Sequence, residues 1–239
     1  MRQIWIISKR ELQSFFDSLT AYIMLIAFLG FSGLFTWLYG SDIFFVKQAS
    51  LQAFFGVSYW TLFFFIPALT MRQFAEENKT GTIELLLTRP VSDWQVIFGK
   101  FLATLMLIGI ALAFTLPYYY TVARLGNIDH GATIMGYVGL LFLSATYISI
   151  GLFASSISNN QIVGFLLALA ISILFHFVFG FLANAAGGFI SELLYYLSLS
   201  AHFESISRGV VDSKDIIYFL SIIFISLVAT EAVLKKNRI

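Results

Sequence analysis

The stretch that organises the chain reads MRQFAEENKTGTIELLLTRPVSDWQVIFGKF, from Met71 to Phe101, and lies between two apolar runs. It is the most highly charged internal segment of the sequence. Within it, Thr82 to Thr88 predicts one short helix, which ends before Pro90 because proline disfavours helical geometry at the preceding residue. Leu85 to Leu87 give that helix an apolar ridge. Solvated loops seldom expose such a ridge. The ridge therefore favours a segment that docks on a partner, with an ordinary solvated loop as the alternative.

A second helix is predicted directly after this segment. Ser92 and Gln95 have the spacing of a capping box, in which each side chain satisfies an amide of the first helical turn. Asp93 adds a negative charge where the helix dipole favours one. We therefore expect residues 71–95 to form a structured hairpin between two apolar spans.

The composition indicates an integral membrane protein. Of 239 residues, 59% are hydrophobic and 11% are charged, whereas about a quarter of an ordinary soluble domain is charged. The chain has no cysteine, which excludes disulfides, thiolate metal sites and cysteine nucleophiles. Its basic residues form no stripe with interleaved aromatics, so nucleic-acid binding is not expected. No metal site is predicted.

Six segments are apolar over about the 20 residues that a transmembrane helix needs. The sequence therefore predicts an all-α, polytopic fold in a single transmembrane domain over residues 1–239. The predicted spans are residues 21–39, 54–70, 96–122, 134–154, 162–182 and 216–234.

The distribution of basic residues predicts the orientation. Six spans place both termini on one side, and that side collects ten of the fourteen basic residues. By the positive-inside rule both termini are cytoplasmic. The ten are Arg2, Lys9, Arg10, Arg72, Lys79, Arg89, Lys100, Lys235, Lys236 and Arg238; the other side has Lys47, Arg124, Arg208 and Lys214.

Two segments outside the spans have an amphipathic or apolar pattern. Residues 1–20 predict an amphipathic helix in the lipid headgroup region, with an ordinary solvated helix as the alternative. Residues 183–200 are apolar but short and contain Gly187 and Gly188, which predicts re-entrant or interfacial helices on the outer side. The segment Ser200 to Asp215 is expected to be a polar external loop.

The sequence gives little support to a catalytic or ion-coupled mechanism, because the span interiors have no Asp, Glu, Lys or Arg, and Lys100 and Glu231 lie near the span ends. His176 is expected to be a packing histidine, with a proton relay as the alternative. Gly30-Phe31-Ser32-Gly33 resembles the motif of rhomboid proteases, but two glycines also favour close helix packing. The chain has no phosphate-binding loop, so it is not expected to hydrolyse ATP alone.

Several motifs in the opening stretch resemble the type 2 ATP-binding-cassette (ABC) transporter permeases. They are Phe74-Ala75-Glu76-Glu77, Gly81-Thr82-x-Glu84-x-Leu86-Leu87, Pro90-Val91-Ser92 and Gly99-Lys100. His202-Phe203-Glu204-Ser205-x-Ser207-Arg208-Gly209-Val210 is most similar to the gliding-motility-associated permease subunit. Asn78 departs from the family, because many relatives have a basic residue there.

The resemblance implies that Thr82 to Thr88 is a coupling helix that docks on a separate cytoplasmic ABC ATPase. The implied coupling residues are Glu76, Glu77, Gly81, Thr82, Glu84, Leu85, Leu86, Leu87, Thr88 and Pro90. ATP and magnesium would bind to that ATPase, and this chain would bind no cofactor. The resemblance also implies a second permease subunit and the bacterial inner membrane.

These features predict the permease subunit of an ATP-driven exporter, with gliding motility as one setting. The alternative is a mechanical or scaffold subunit of an envelope machine, which transmits motion without passage of a substrate. Lipid, glycan and peptide cargo suit an uncharged bundle equally.

Overall fold

The computed structural model describes residues 2–39, 48–81, 91–210 and 212–236. Within these ranges the chain is helical and contains no strand. Six segments are long and apolar enough to cross a membrane. The predicted all-α, polytopic fold with six spans is therefore confirmed. The predicted coupling helix, Thr82 to Thr88, lies outside the described residues.

The described helices follow one another in this order: α1 (Arg2–Asp17), α2 (Leu19–Trp37), α3 (Gln52–Thr70), α4 (Ala75–Thr80), α5 (Asp93–Ala113), α6 (Leu116–Leu125), α7 (His130–Ile157), α8 (Gln161–Ile173), a π-helical segment (Leu174–Val178), α9 (Phe179–Ala185), α10 (Gly188–Leu197), α11 (Leu199–Ser207) and α12 (Ser213–Lys236). The candidate spanning segments are α2, α3 continued by α4, α5 with α6, α7, α8 to α9, and α12. We call the side of the bundle with α1 and α4 the terminal side, and the opposite side the far side.

Helix α7 lies at the centre of the bundle and contacts α3, α5, α8, α11 and α12. Small residues allow its neighbours to approach closely. A Cβ added at Gly151 would overlap the Thr70 hydroxyl of α3, and one added at Gly136 would overlap the Phe55 ring. The position of α3 is thus fixed against α7 near both sides of the membrane.

The amphipathic N-terminal helix is confirmed as α1, which packs along α5. Ile7 lies so close to Gly99 that a Cβ added there would clash with its side chain. Trp5 and Ile6 are 61% and 56% exposed. Such apolar exposure suits a lipid interface, although the location of α1 in the headgroup region stays a prediction.

On the far side, short helices are present as expected, but the polar loop from Ser200 to Asp215 is partly wrong. Residues up to Ser207 belong to α11, which packs on α7 and α12. Leu199, Phe203 and Ile206 are buried, and their helical spacing forms an apolar face that the polar residues between them obscured.

The far-side helices are joined by His202. Its Nδ1 lies 2.6 Å from Oδ1 of Asp215 at the start of α12, and its Nε2 lies 2.9 Å from the carbonyl of Tyr196 in α10. The Tyr218 ring stacks on the imidazole at a centroid distance of 4.0 Å. One side chain therefore ties α10, α11 and α12 together.

Candidate functional site

Lys100 lies at the centre of a polar network on the terminal side. Its ammonium donates to Oε1 of Glu77 at 2.7 Å and to the backbone carbonyl of Gln73 at 2.9 Å. Oε2 of Glu11 lies 3.6 Å away, and the Phe74 ring centroid lies 5.2 Å away. The network thus joins α1, the turn after α3, α4 and α5.

The side chain of Lys100 is only 2% exposed, so the ammonium is withdrawn from water. Burial of a charge is costly unless opposite charge and hydrogen bonds compensate it. Here two carboxylates and a carbonyl supply that compensation. Because these partners come from separate helices, movement of one helix away from the others would leave a buried charge unpaired.

Gln73 adds a second polar link between the turn after α3 and α5. Its side-chain amide donates to the Thr104 hydroxyl, one helical turn beyond Lys100. The Thr104 hydroxyl in turn donates to the carbonyl of Lys100 at 3.1 Å. Gln73 is therefore held to α5 through both its backbone and its side chain.

Ser155, near the end of α7, holds the same turn from the other direction. Its hydroxyl donates to the carbonyl of Met71 at 2.9 Å. It accepts from the amides of Phe74 and Ala75 at 3.0 and 3.1 Å. The amides at a helix start lack partners within the helix, so Ser155 both caps α4 and joins it to α7.

Asn78 makes a further connection between α4 and α7. Its side-chain amide donates to the carbonyls of Ser156 and Ser158 at 3.1 and 3.3 Å. These carbonyls lie at the C-terminal end of α7, where no following turn can satisfy them. The neutral amide of Asn78 therefore caps the C-terminal end of α7.

The described part of the predicted coupling set lies on or beside α4. Glu77 faces inward to Lys100, Glu76 is exposed, and Gly81 ends α4 in a left-handed conformation with φ +68°. Thr82, Glu84, Leu85 to Thr88 and Pro90 lie outside the described residues. The amide of Ser92 donates to Oε1 of Gln95 at 3.1 Å, so the predicted pairing at the start of α5 is confirmed.

Ser32 of the rhomboid-like motif and His176, which would have to serve as its base, each hydrogen-bond to another group. Ser32 is buried, and its hydroxyl donates to the carbonyl of Leu29 in its own helix. His176 hydrogen-bonds through Nδ1 to the Tyr147 hydroxyl. Within the described residues, no group of three or more His, Cys, Asp or Glu side chains could hold a metal ion. The arrangement therefore supports packing roles for both residues.

In this geometry the short helix α4 follows α3 after a turn and is linked by polar contacts to α1, α5 and α7. A family model described as ABC-2 family transporter protein matches residues 7–228. The chain belongs to this family. No curated protein matches it. The ABC-2 permease is thus a multi-pass membrane component of an ABC transporter, which implies an ABC ATPase subunit as its partner.

Sequence reasoning did not find the central role of Lys100 in the ABC-2 permease. It used Lys100 only as part of a family motif and as one of the basic residues that predict the orientation. One signal was available, because Lys100 is the sole charged residue between Val96 and Val122. A lone lysine near the end of an apolar span requires a carboxylate partner, and the paired glutamates of α4 precede it in the sequence.

Proposed function

We propose that this ABC-2 permease couples ATP hydrolysis by a separate cytoplasmic ABC ATPase to export across the bacterial inner membrane. Thr82 to Thr88 form the docking helix, and both termini lie in the cytoplasm. ATP and magnesium bind to the ATPase, while this chain binds neither. Its single transmembrane domain pairs with a second permease subunit, which is a copy of this chain or a distinct protein.

One observation carries the proposal: α4, which leads into residues 82–90, is fixed to the bundle by buried polar contacts. Lys100 connects α4 to α1 and α5, and Ser155 connects it to α7. A flexible surface loop would not need such contacts. Force applied by an ATPase at residues 82–88 would thus reach several spans together, as expected of a rigid-body transition.

The scaffold alternative differs from the exporter in the role of the far-side helices. Exporter function requires a path for cargo between two permeases, whereas a mechanical subunit would move α10 and α11 against an envelope partner. The narrower gliding-motility assignment rests on residues 202–210. In the structure, His202 and Phe203 of that segment are buried and join helices of the same chain.

The docking step can be tested by co-expression of the chain with its cognate ABC ATPase. Leu86→Asp places a charge on the predicted docking ridge, and should abolish co-purification of the ATPase. Leu125→Asp is a matched control, because Leu125 is 56% exposed at the far-side end of α6. Equal amounts of ATPase recovered with the Leu86 variant and the wild-type chain would contradict the proposal.

A further inference from the structure

A cleft of about 400 Å³ opens on the terminal side, between α1, the turn after α3, and α4. Its position relative to the membrane follows from two helix ends. Helix α2 begins at Leu19, directly after Ser18, and α3 ends at Thr70, two residues before Arg72. Ser18 and Arg72 therefore lie where two spans leave the hydrocarbon core, at the depth of the lipid headgroups.

The guanidinium of Arg72 lies in this cleft and has more N–H donors than the one hydrogen bond to Ser18 uses. Its Nη2 donates to the Ser18 hydroxyl at 3.1 Å, and its guanidinium carbon lies 5.9 Å from the centroid of the Phe15 ring. Among the described residues, no carboxylate lies within 4.0 Å of it. A guanidinium has five N–H donors in a fork that matches an oxyanion.

The charges in the cleft favour a ligand that carries both signs. Arg10, Arg72 and Lys100 contribute three positive charges, and Glu11, Glu76 and Glu77 contribute three negative charges. Lys100 is compensated by Glu11 and Glu77. Arg10 lies 3.6 Å from Glu11, so Arg72 is the cation of the cleft left for a phosphodiester, while the exposed carboxylate of Glu76 suits an ammonium group. A purely anionic ligand would place its charge near the exposed carboxylate of Glu76.

We propose that this cleft binds the headgroup of an aminophospholipid, a phosphodiester with a primary ammonium. Arg72, positioned by Ser18 and Phe15, binds the phosphate oxygens, and Arg10 approaches from α1. Glu76 accepts hydrogen bonds from the ammonium. The acyl chains extend toward the exposed apolar surface of α1 and the start of α2, where Ile6 and Leu19 are 56% and 74% exposed.

Native mass spectrometry of the purified chain in detergent, titrated separately with phosphatidylethanolamine, phosphatidylcholine and phosphatidylglycerol, tests the site without ATP or a partner. Phosphatidylethanolamine should bind tightest. Arg72→Gln should weaken its binding by roughly tenfold, as expected for the loss of a charge-assisted hydrogen bond. Arg72→Lys should recover part of that loss, because it keeps the charge but not the fork.

Two further variants separate the phosphate and ammonium contacts. Glu76→Gln should reduce the preference for phosphatidylethanolamine over phosphatidylcholine, because phosphatidylethanolamine loses a charge-assisted hydrogen bond and phosphatidylcholine loses only an electrostatic attraction. Arg124→Gln is the control, because Arg124 lies on the far side against Tyr120. Equal binding of all three lipids, tighter binding of phosphatidylglycerol, no effect of Arg72→Gln, or full displacement of the lipid by millimolar inorganic phosphate would each overturn the proposal.

Because binding is measured in the absence of an ATPase, the result does not depend on the proposed coupling function. A correctly folded Arg72→Gln chain, shown by an unchanged thermal unfolding midpoint, would make loss of lipid binding a property of the site. If that variant unfolds, Arg72→Lys and Glu76→Gln still decide the outcome through lipid preference.

Discussion

Nζ of Lys100 lies 2.7 Å from Oε1 of Glu77, and this ion pair joins the start of the third span to the short helix α4. Oε2 of Glu11 approaches the same ammonium at 3.6 Å from α1. The pair is largely buried, since the lysine side chain is 2% exposed and that of Glu77 is 17% exposed. Relative movement of α4 and α5 would therefore break a contact that water cannot readily replace.

Removal of one member of this pair should destabilise the protein strongly. Lys100→Met leaves Glu77 buried without its cation, and breakage of a buried pair costs about 3–5 kcal/mol. We expect a lower thermal unfolding midpoint in detergent. The double variant Lys100→Met with Glu77→Leu should recover much of the loss, because both charges are gone. If the double variant is as unstable as the sum of the single variants, the two residues are not coupled.

Ser155→Ala should loosen the attachment of α4 to α7. The substitution leaves the amides of Phe74 and Ala75 without their acceptor, at a cost of about 1–3 kcal/mol. Hydrogen exchange of these two amides, followed by mass spectrometry, should accelerate. Ser156→Ala is the matched control, because the Ser156 hydroxyl donates only to the carbonyl of Phe153 in its own helix. Equal exchange in both variants would contradict the role of Ser155.

Gly151→Ala should separate α3 from α7. An added Cβ would overlap the Thr70 side chain, and overpacking of this kind costs about 1–3 kcal/mol. Thr70→Ala in the same chain should restore part of the stability. Gly109→Ala serves as control, because a Cβ there would meet no atom within 4 Å. A Gly151 variant that unfolds at the wild-type temperature would show that the helices are not in close contact.

On the far side, Asp215→Asn should weaken the connection of α11 to α12. The change removes the charge that faces His202 at 2.6 Å, within a pair whose side chains are each 8% exposed. Limited proteolysis after Ser207 should become faster. Asp212→Asn is the control, since the carboxylate of Asp212, three residues before Asp215, contacts the exposed ammonium of Lys214 at 3.8 Å. Unchanged proteolysis of the Asp215 variant would argue against the connection.

The large-scale fold followed from the sequence because membrane spans carry a strong and local signal. The six apolar segments, the amphipathic α1 and the start of α5 at Ser92 could all be recognised from periodicity and spacing. The polar network could not, since its members come from residues 11, 73, 77, 100 and 155, and no local pattern brings them together. The prediction of a loop at α11 was wrong for a different reason. The polar residues between Ser200 and Asp215 obscure the helical spacing of the buried side chains Leu199, Phe203 and Ile206.

The central claim is that the Lys100 network carries motion from the ATPase-docking segment into the spans. The chain has no cysteine, so spin labels at Leu125→Cys and Val210→Cys would be unique. Both positions are exposed on the far side, where Leu125 ends α6 and Val210 follows α11. Pulsed electron–electron double resonance on the complex with its ABC ATPase would report the distance between the two labels with and without ATP.

We expect the distance between the labels at positions 125 and 210 to change with ATP in the otherwise wild-type complex. In the complex with Lys100→Met and Glu77→Leu, the ATPase should still hydrolyse ATP while the far-side distance stays constant. The same ATP-dependent change in both complexes, at equal rates of hydrolysis, would contradict the claim that Lys100 and Glu77 transmit the motion.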